Sequence, residues 1–136
     1  MKNTFIPDGE EKTIFKGRII EVVQQDMSKG DKTVTFEWGQ RAPGVRVVII
    51  DSNGRILLTR EHRYEQGTYD YRLPGGKVAD TLDEWHRITD IPAAARQKAI
   101  EEARQEAGIS INSLTEIEIV PDGTTFKWDL HYFETR

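Results

Sequence analysis

The chain has 136 residues, 37% hydrophobic and 31% charged, a balance expected of one soluble globular domain rather than a disordered segment. A net charge of −4 and a pI near 5.4 exclude the clustered cationic excess that nucleic-acid binding needs. The absence of cysteine excludes a disulfide framework and a thiolate metal centre, and fits a reducing cytoplasm. No segment approaches the roughly 18 apolar residues of a membrane span, and Met1–Pro7 lacks the apolar run of a signal peptide.

In chain order, residues 1–12 are polar and read as a loose arm. Ile14–Gln24 and Thr33–Trp38 are rich in β-branched and aromatic residues and predict two strands. Met27-Ser28-Lys29-Gly30-Asp31 between them is turn chemistry, so the pair forms a hairpin. Pro43-Gly44 breaks the chain. The nearly continuous apolar run Val45–Asp51 predicts a strand buried on both faces. Asn53-Gly54 is a strong hairpin signal, because both residues tolerate positive φ, and Arg55–Arg60 is its expected return strand. Asp70–Leu73 is a short strand ending at Pro74-Gly75-Gly76. Pro92–Ala107 predicts the main helix, with Asp90 near its N-cap, Pro92 in its first turn and Gly108 as its stop. Ala95, Ala99, Ala103 and Ala107 recur every four residues, so this face packs close to a sheet and leaves Glu102 and Glu106 toward the opposite side or its edge. Thr115–Val120 and Phe126–Phe133 predict a final hairpin around Pro121-Asp122-Gly123-Thr124. No repeat, low-complexity tract or linker is visible. The whole chain, 1–136, is expected to be one domain: an arm and hairpin over 1–42, then a core over 43–136.

The chemistry concentrates in two places. Leu73-Pro74-Gly75-Gly76 is a glycine turn whose backbone can approach a ligand closely. Glu102 and Glu106 are spaced i, i+4 on one helix face, where like charges repel unless something cationic lies between them. Mg²⁺ takes oxygen ligands, commonly one or two protein carboxylates plus substrate phosphates.

Together, Arg72-Leu73-Pro74-Gly75-Gly76-Lys77 and Ala99–Ile109 resemble the Nudix hydrolase signature. Gly76 matches its first glycine, Glu102 the glutamate after its arginine, and Glu106 the second of its glutamate pair. Gly108 and Ile109 match the closing pair. Glu101 stands where the family has arginine, and Gln105 where it has the first glutamate of the pair. An insertion of about eleven residues, containing Asp80–Asp90, separates the turn from the helix. The resemblance implies a Nudix-like α/β/α sandwich with a mixed sheet. It also implies Mg²⁺ or Mn²⁺ held by Glu102 and Glu106, with Gly75 and Gly76 shaping the site and Gln105 offering only a neutral carbonyl oxygen. Fewer or weaker metals are expected, or a substitute carboxylate from Asp80, Asp83 or Glu84. Trp85 and Ile88 predict that the insertion packs on something as an ordered helical turn. His86 reads as an ordinary surface histidine, and His62 and His131 make no zinc constellation with it.

Arg60-Glu61-His62-Arg63-Tyr64 and the segment Gly67–Gly76 are similar to the ADP-ribose and sugar-nucleotide pyrophosphatase branch, as is the N-terminal hairpin. That branch implies cleavage of a nucleoside diphosphate linked to another moiety, and commonly a homodimer. Arg60 and Arg63 are candidate phosphate contacts or surface ion-pair partners. Trp38 is a candidate base-stacking residue, or a core or dimer-interface one. In that branch the chain continues past the last strand with a loop that often supplies the general base. Here it stops at Arg136, as in a compact variant or a truncated domain, and the base is unassigned. The alternative reading is a weakly active or inactive Nudix-like nucleotide-binding module, favoured by Glu101, Gln105, the insertion and the short end. A purely structural or interaction domain is the third reading, and nucleotide-pool sanitation a within-family alternative.

Overall fold

The computed structural model describes residues 4–136. The strands are β1 (Ile6–Pro7), β2 (Lys12–Lys16), β3 (Ile20–Lys29), β4 (Lys32–Arg41), β5 (Gly44–Ile49), β6 (Thr59–Arg63), β7 (Thr68–Arg72) and β8 (Gly75–Lys77). Helices α1 (Leu82–Arg87) and α2 (Ile91–Ala107) follow, then β9 (Thr115–Asp122) and β10 (Phe126–Thr135). The expected mixed α/β architecture is what these residues form. One eight-stranded mixed sheet runs β1-β3-β4-β10-β5-β8, with β2 added beside β3 and β9 beside β10, while β6 and β7 form a separate ribbon.

β10 organises the sheet. It runs parallel to β5 along its C-terminal half, from Leu130 opposite Gly44 to Thr135 opposite Ile49. Its first residues, Phe126 and Lys127, run parallel to the end of β4 at Gly39 and Gln40. The final strand is thus inserted between two strands that are adjacent in sequence. α2 lies over this junction. Ala95, Ala99 and Ala103 are fully buried against Val45, Val47 and Phe133, which are also fully buried. The alanine face works because a missing side chain lets the helix axis approach the sheet, where β-branched residues fill the space.

Several helix expectations hold. The side chain of Asp90 caps α2 by accepting from the Ala93 N–H, and Gly108 ends it in the left-handed conformation at φ 67°. The insertion does form an ordered helix, α1, capped by Thr81.

Other elements differ from expectation. Residues 1–3 of the proposed loose arm lie outside the described residues, but Ile6–Pro7 and Lys12–Lys16 pair with β3 rather than hanging free. The expected single strand Ile14–Gln24 is two, β2 and β3, because Gly17 turns the chain there, donating its N–H to the Ile20 carbonyl at 2.8 Å. The turn at Asn53-Gly54 is present, yet Arg55–Arg60 does not return as a strand. Only an Ile50–Ile56 bridge and a Leu57 N–H to Ile49 carbonyl bond form, and the chain leaves to build the β6–β7 ribbon. Of the two positions expected for Glu102, the opposite side of α2 or its edge, the structure shows the edge: Glu102 is 9% exposed and turned onto β8, the last strand of the sheet. Among the described residues no helix is long and apolar enough to cross a membrane.

Candidate active site

β8 places Gly76 opposite Val45 and Gly75 opposite Arg46. The strand is held there by Val47 N–H donating to the Pro74 carbonyl and Val78 N–H donating to the Pro43 carbonyl, both at 2.8 Å. α2 presents Glu102 and Glu106 to this strand. A Cβ on Gly76 would sit 2.5 Å from Glu102 Oε1, so a residue without a side chain is what allows the carboxylate to reach the strand. Lys98 Nζ lies 3.0 Å from the same oxygen. The Lys98 ammonium is partly buried; burial lowers its pKa, but the bond and charge of Glu102 outweigh this and hold it above the ordinary lysine value.

Glu106 Oε2 accepts a hydrogen bond from the Gly75 N–H at 3.2 Å. Partial burial raises the pKa of its carboxyl above the ordinary value. The Gly75 N–H opposes the rise, while the negative charges of Glu102 and, more weakly, Glu61 add to it. The two carboxylates therefore form a strained anionic pair at the glycine turn.

Beside this pair opens a cavity of about 260 Å³ with Gly75, Gly76 and Glu106 on one side and Arg41, Arg46, Arg63, Glu61 and Trp128 around it. Some of its cations are already engaged. Arg72 Nε donates to Asp70 Oδ2 at 2.7 Å, and Arg63 lies 3.4 Å from that oxygen and 3.2 Å from Glu61. Arg41 and Arg46 are different: among the described residues neither is ion-paired with a carboxylate. The Nε of Arg41 is buried with no hydrogen-bond partner, and its guanidinium lies 4.6 Å from the centre of the Trp128 ring. Arg46 Nη1 donates to the Val45 carbonyl at 2.9 Å. Burial first, and the charge of Arg46 second, lower the pKa of Arg41 from its usual guanidinium value. Two guanidinium groups that repel each other and lack an anion make a site for a polyanion.

The residues expected from the sequence divide clearly. Glu102, Glu106, Gly75 and Gly76 come together, and of these Glu106, Gly75 and Gly76 line the cavity with Arg63. Arg60 does not line the cavity; its guanidinium stacks 3.6 Å from the centre of the Tyr69 ring on the outer ribbon. Trp38 does not line it either. It is 7% exposed, donates its Nε1–H to Gln40 Oε1 at 3.0 Å, and carries Lys127 over its ring, as a core residue would. Gln105 is exposed on the helix surface and is not among the lining residues. Glu101 is exposed and accepts from Gln97 Nε2 at 3.3 Å. Arg96 donates to the Leu114 carbonyl at 2.7 Å, so it does not take over at the site for the arginine that Glu101 replaces.

The carboxylates of the insertion are committed elsewhere. Asp83 pairs with Lys16 at 2.8 Å, Glu84 accepts from the Asp80 N–H at 2.9 Å, and Asp80 lies 3.8 Å from Lys77. His86 is not an ordinary surface histidine, since its Nε2 lies 2.9 Å from Oε1 of the buried Glu21. Sequence reasoning missed Arg41, Arg46 and Trp128. One signal was available: Arg46 interrupts the apolar run Val45–Ile50, and a cation in a strand buried on both faces calls for an anion.

Among the described residues no group of three or more His, Asp or Glu is arranged to hold a metal ion. The donor set still fits Mg²⁺, because that ion commonly takes only one or two protein carboxylates and completes its shell from water and phosphate. Glu102 and Glu106 supply the two carboxylates; burial first, and the charge of Glu102 after it, raise the pKa of Glu106, and a cation beside the pair would offset both.

No family model matches the chain. Over 100 residues, 72% of the chain, it is 31% identical to a CMP-5'-(N-acetyl-N-hydroxy-3-aminopropyl)phosphonate hydrolase of Streptomyces rubellomurinus (strain ATCC 31215), of which the match covers 43%. Its structure is similar to the crystal structure of an ADP compounds hydrolase, with a TM-score of 0.63 at 18% identity over 97% of this chain and 65% of the other. The chain thus spans less than half of the first protein and just under two thirds of the second. The structural likeness is one of fold, and it agrees with the Nudix-like architecture expected from the sequence.

Proposed function

We propose that this chain is a divalent-metal-dependent Nudix hydrolase. Its substrate is a nucleoside diphosphate linked to another moiety, with ADP-ribose and sugar nucleotides as the leading class. The observation that carries this reading is a cavity in which Arg41 and Arg46, neither ion-paired with a carboxylate among the described residues, stand with Glu106 and the Gly75-Gly76 turn. The two proteins it resembles are hydrolases of nucleotide compounds by their names, which supports the same class.

In this reading Arg41 and Arg46 bind the diphosphate oxygens and hold the P–O–P bridge over the glycine turn. Glu102 and Glu106 hold Mg²⁺ or Mn²⁺, which when bound supplies charge neutralisation and acidifies water. Lys98 orients Glu102 through their ion pair, and the Gly75 N–H orients Glu106. Water adds to one phosphorus, the bridging oxygen leaves with the other, and the products are a nucleoside monophosphate and a phosphorylated sugar. The protein works in the cytoplasm, and the apolar side chains Phe15, Phe36 and Phe126, exposed on the hairpin and the strand beside it, support a homodimer. Light scattering then gives about twice the 15.6 kDa chain mass; a value of one chain mass at micromolar concentration rejects the dimer.

The deciding experiment is mass spectrometry of products from a panel of ADP-ribose, sugar nucleotides, a dinucleoside polyphosphate and triphosphates, with Mg²⁺ or Mn²⁺. Cleavage concentrated on diphosphate-linked compounds is expected. Arg41→Ala and Arg46→Ala should each weaken pyrophosphate binding about ten- to a hundredfold, the usual range for a lost charge-assisted hydrogen bond. No cleavage of any compound by folded protein overturns the hydrolase. The second reading, a nucleotide-binding module, then takes its place; it is favoured by Lys98 already occupying Glu102 and by Gln105 standing away from the site.

A further inference from the structure

Next to the cationic cavity is a second one of about 340 Å³, within the size range of pockets that take small molecules. Trp85 from the insertion and Trp128 from β10 both line it, with Pro43 just before β5 and Ile91 at the start of α2 adding apolar surface. Arg41 and Trp128 line both cavities, so the two are adjacent and share these side chains.

Trp85 is held rather than loose. Its ring stacks on His86 at 4.8 Å between centroids with 23° between planes. His86 is in turn fixed 2.9 Å from Glu21, and Glu21 also accepts from Gln40 Nε2 at 2.8 Å. Lys16–Asp83 and the Leu82 N–H to Arg18 carbonyl bond tie the same helix to the N-terminal strands. A six-residue helix is thus anchored at several points, with a large aromatic side chain left half-buried on the cavity wall. The core does not need Trp85 there, since the main cluster is complete without it.

We propose that this second cavity is the subsite for the planar base of the nucleotide, with Trp85 as its stacking residue. The inference rests on the nucleotide reading above and adds to it the position of the base and the role of the insertion. The chemistry selects that occupant. Two indoles, Pro43 and Ile91 give a flat ring its stacking and apolar surface, Gln40, Lys127 and Asp129 add polar groups at the same wall, and every base has a face that stacks on indole. The shared Arg41 and Trp128 place such a ring next to a diphosphate held in the first cavity. The insertion then serves substrate recognition as a fixed wall, rather than metal binding.

The test is calorimetric titration of the intact wild-type chain and of Trp85→Ala with ADP, CDP and inorganic pyrophosphate in metal-free buffer. Pyrophosphate reports the arginine cavity alone, and the nucleotides report both cavities. Wild-type protein should bind the nucleotides about tenfold more tightly than pyrophosphate. Trp85→Ala should remove that margin and leave pyrophosphate binding unchanged, while Trp85→Phe, which keeps a ring, should retain most of it. A melting curve confirms that each variant is folded, and Trp85→Phe provides the comparison if the alanine variant is not. If Trp85→Ala leaves nucleotide affinity unaltered, or weakens pyrophosphate equally, the subsite is wrong while the nucleotide reading stands. If wild-type protein binds none of the three ligands, both fall together.

Discussion

Glu106→Gln should lower kcat by about 10²- to 10³-fold, the scale expected when several kcal/mol of transition-state charge stabilisation is removed. It should at the same time make the metal-free protein slightly more stable. The side-chain shape and the bond to the Gly75 N–H survive, because the amide oxygen of glutamine accepts as the carboxylate does. What disappears is the negative charge that burial, Glu102 and Glu61 all oppose. A like-charge i, i+4 pair costs on the order of 0.5 kcal/mol, which corresponds to roughly 2 °C in a chain of this size.

The pH dependence follows from the direction of the shift. A carboxyl whose pKa is higher in the folded state binds more protons there than in the unfolded chain, so wild-type stability falls as pH rises through that window. Below the ordinary value of 4.5 both states are protonated and the variant gains nothing; the gain opens above it and levels off once folded Glu106 is ionised. Added Mg²⁺ should stabilise the wild type by mass action and the variant much less. Calorimetry in EDTA and in Mg²⁺, from pH 4 to 8, separates these effects. Unaltered turnover with an unaltered Mg²⁺ response would remove Glu106 from the site.

Gly75→Ala should be the most damaging single-atom change at the turn. The added Cβ would overlap the Val45 carbonyl oxygen and come within 2.7 Å of Arg46 Nη1. The first neighbour is strand backbone and cannot step aside without moving β5 or β8. Overpacking of this kind costs about 1–3 kcal/mol, so the melting temperature should drop by roughly 3–10 °C. Activity should fall further than stability, since the same shift displaces Arg46 and the N–H that orients Glu106. Gly76→Ala makes an informative partner, because its Cβ would meet the end of a side chain, Glu102 Oε1, instead of backbone. It should cost less stability and comparable activity. A Gly75→Ala protein as stable and active as the wild type would show that the turn does not need its close approach.

Parts of this molecule are legible residue by residue because their cause is local. Asp90 caps α2 and Gly108 ends it through bonds made within one turn of the chain, and the alanine stripe declares its buried face through helical period alone. The i, i+4 carboxylates and the double glycine before them are legible for the same reason, and the structure brings them together as a candidate site. Where local signals competed, reading failed. Asn53-Gly54 does turn the chain, but the return strand it promised loses its residues to the β6–β7 ribbon, since strand pairing depends on distant partners. Arg60 and Arg46 carry the same charge on strands consecutive in the chain; Arg46 lines the cavity, while Arg60 stacks on Tyr69 in the separate ribbon.

The side of a helix that carries Glu102 and Glu106, the caps around it and the mixed α/β character all follow from spacing and residue type along the chain. Gln105 shows the boundary of that information: its place in a motif says metal ligand, while about 100° of rotation per residue carries it onto the solvent face. The meeting of Arg41, Arg46 and Trp128 is of another kind. It arises because β10 enters between β4 and β5, bringing residues more than eighty positions apart to one cavity. That arrangement is settled by burying Val45, Val47 and Phe133 under α2. Burial is a property of the assembled layers, which no short stretch of the chain contains.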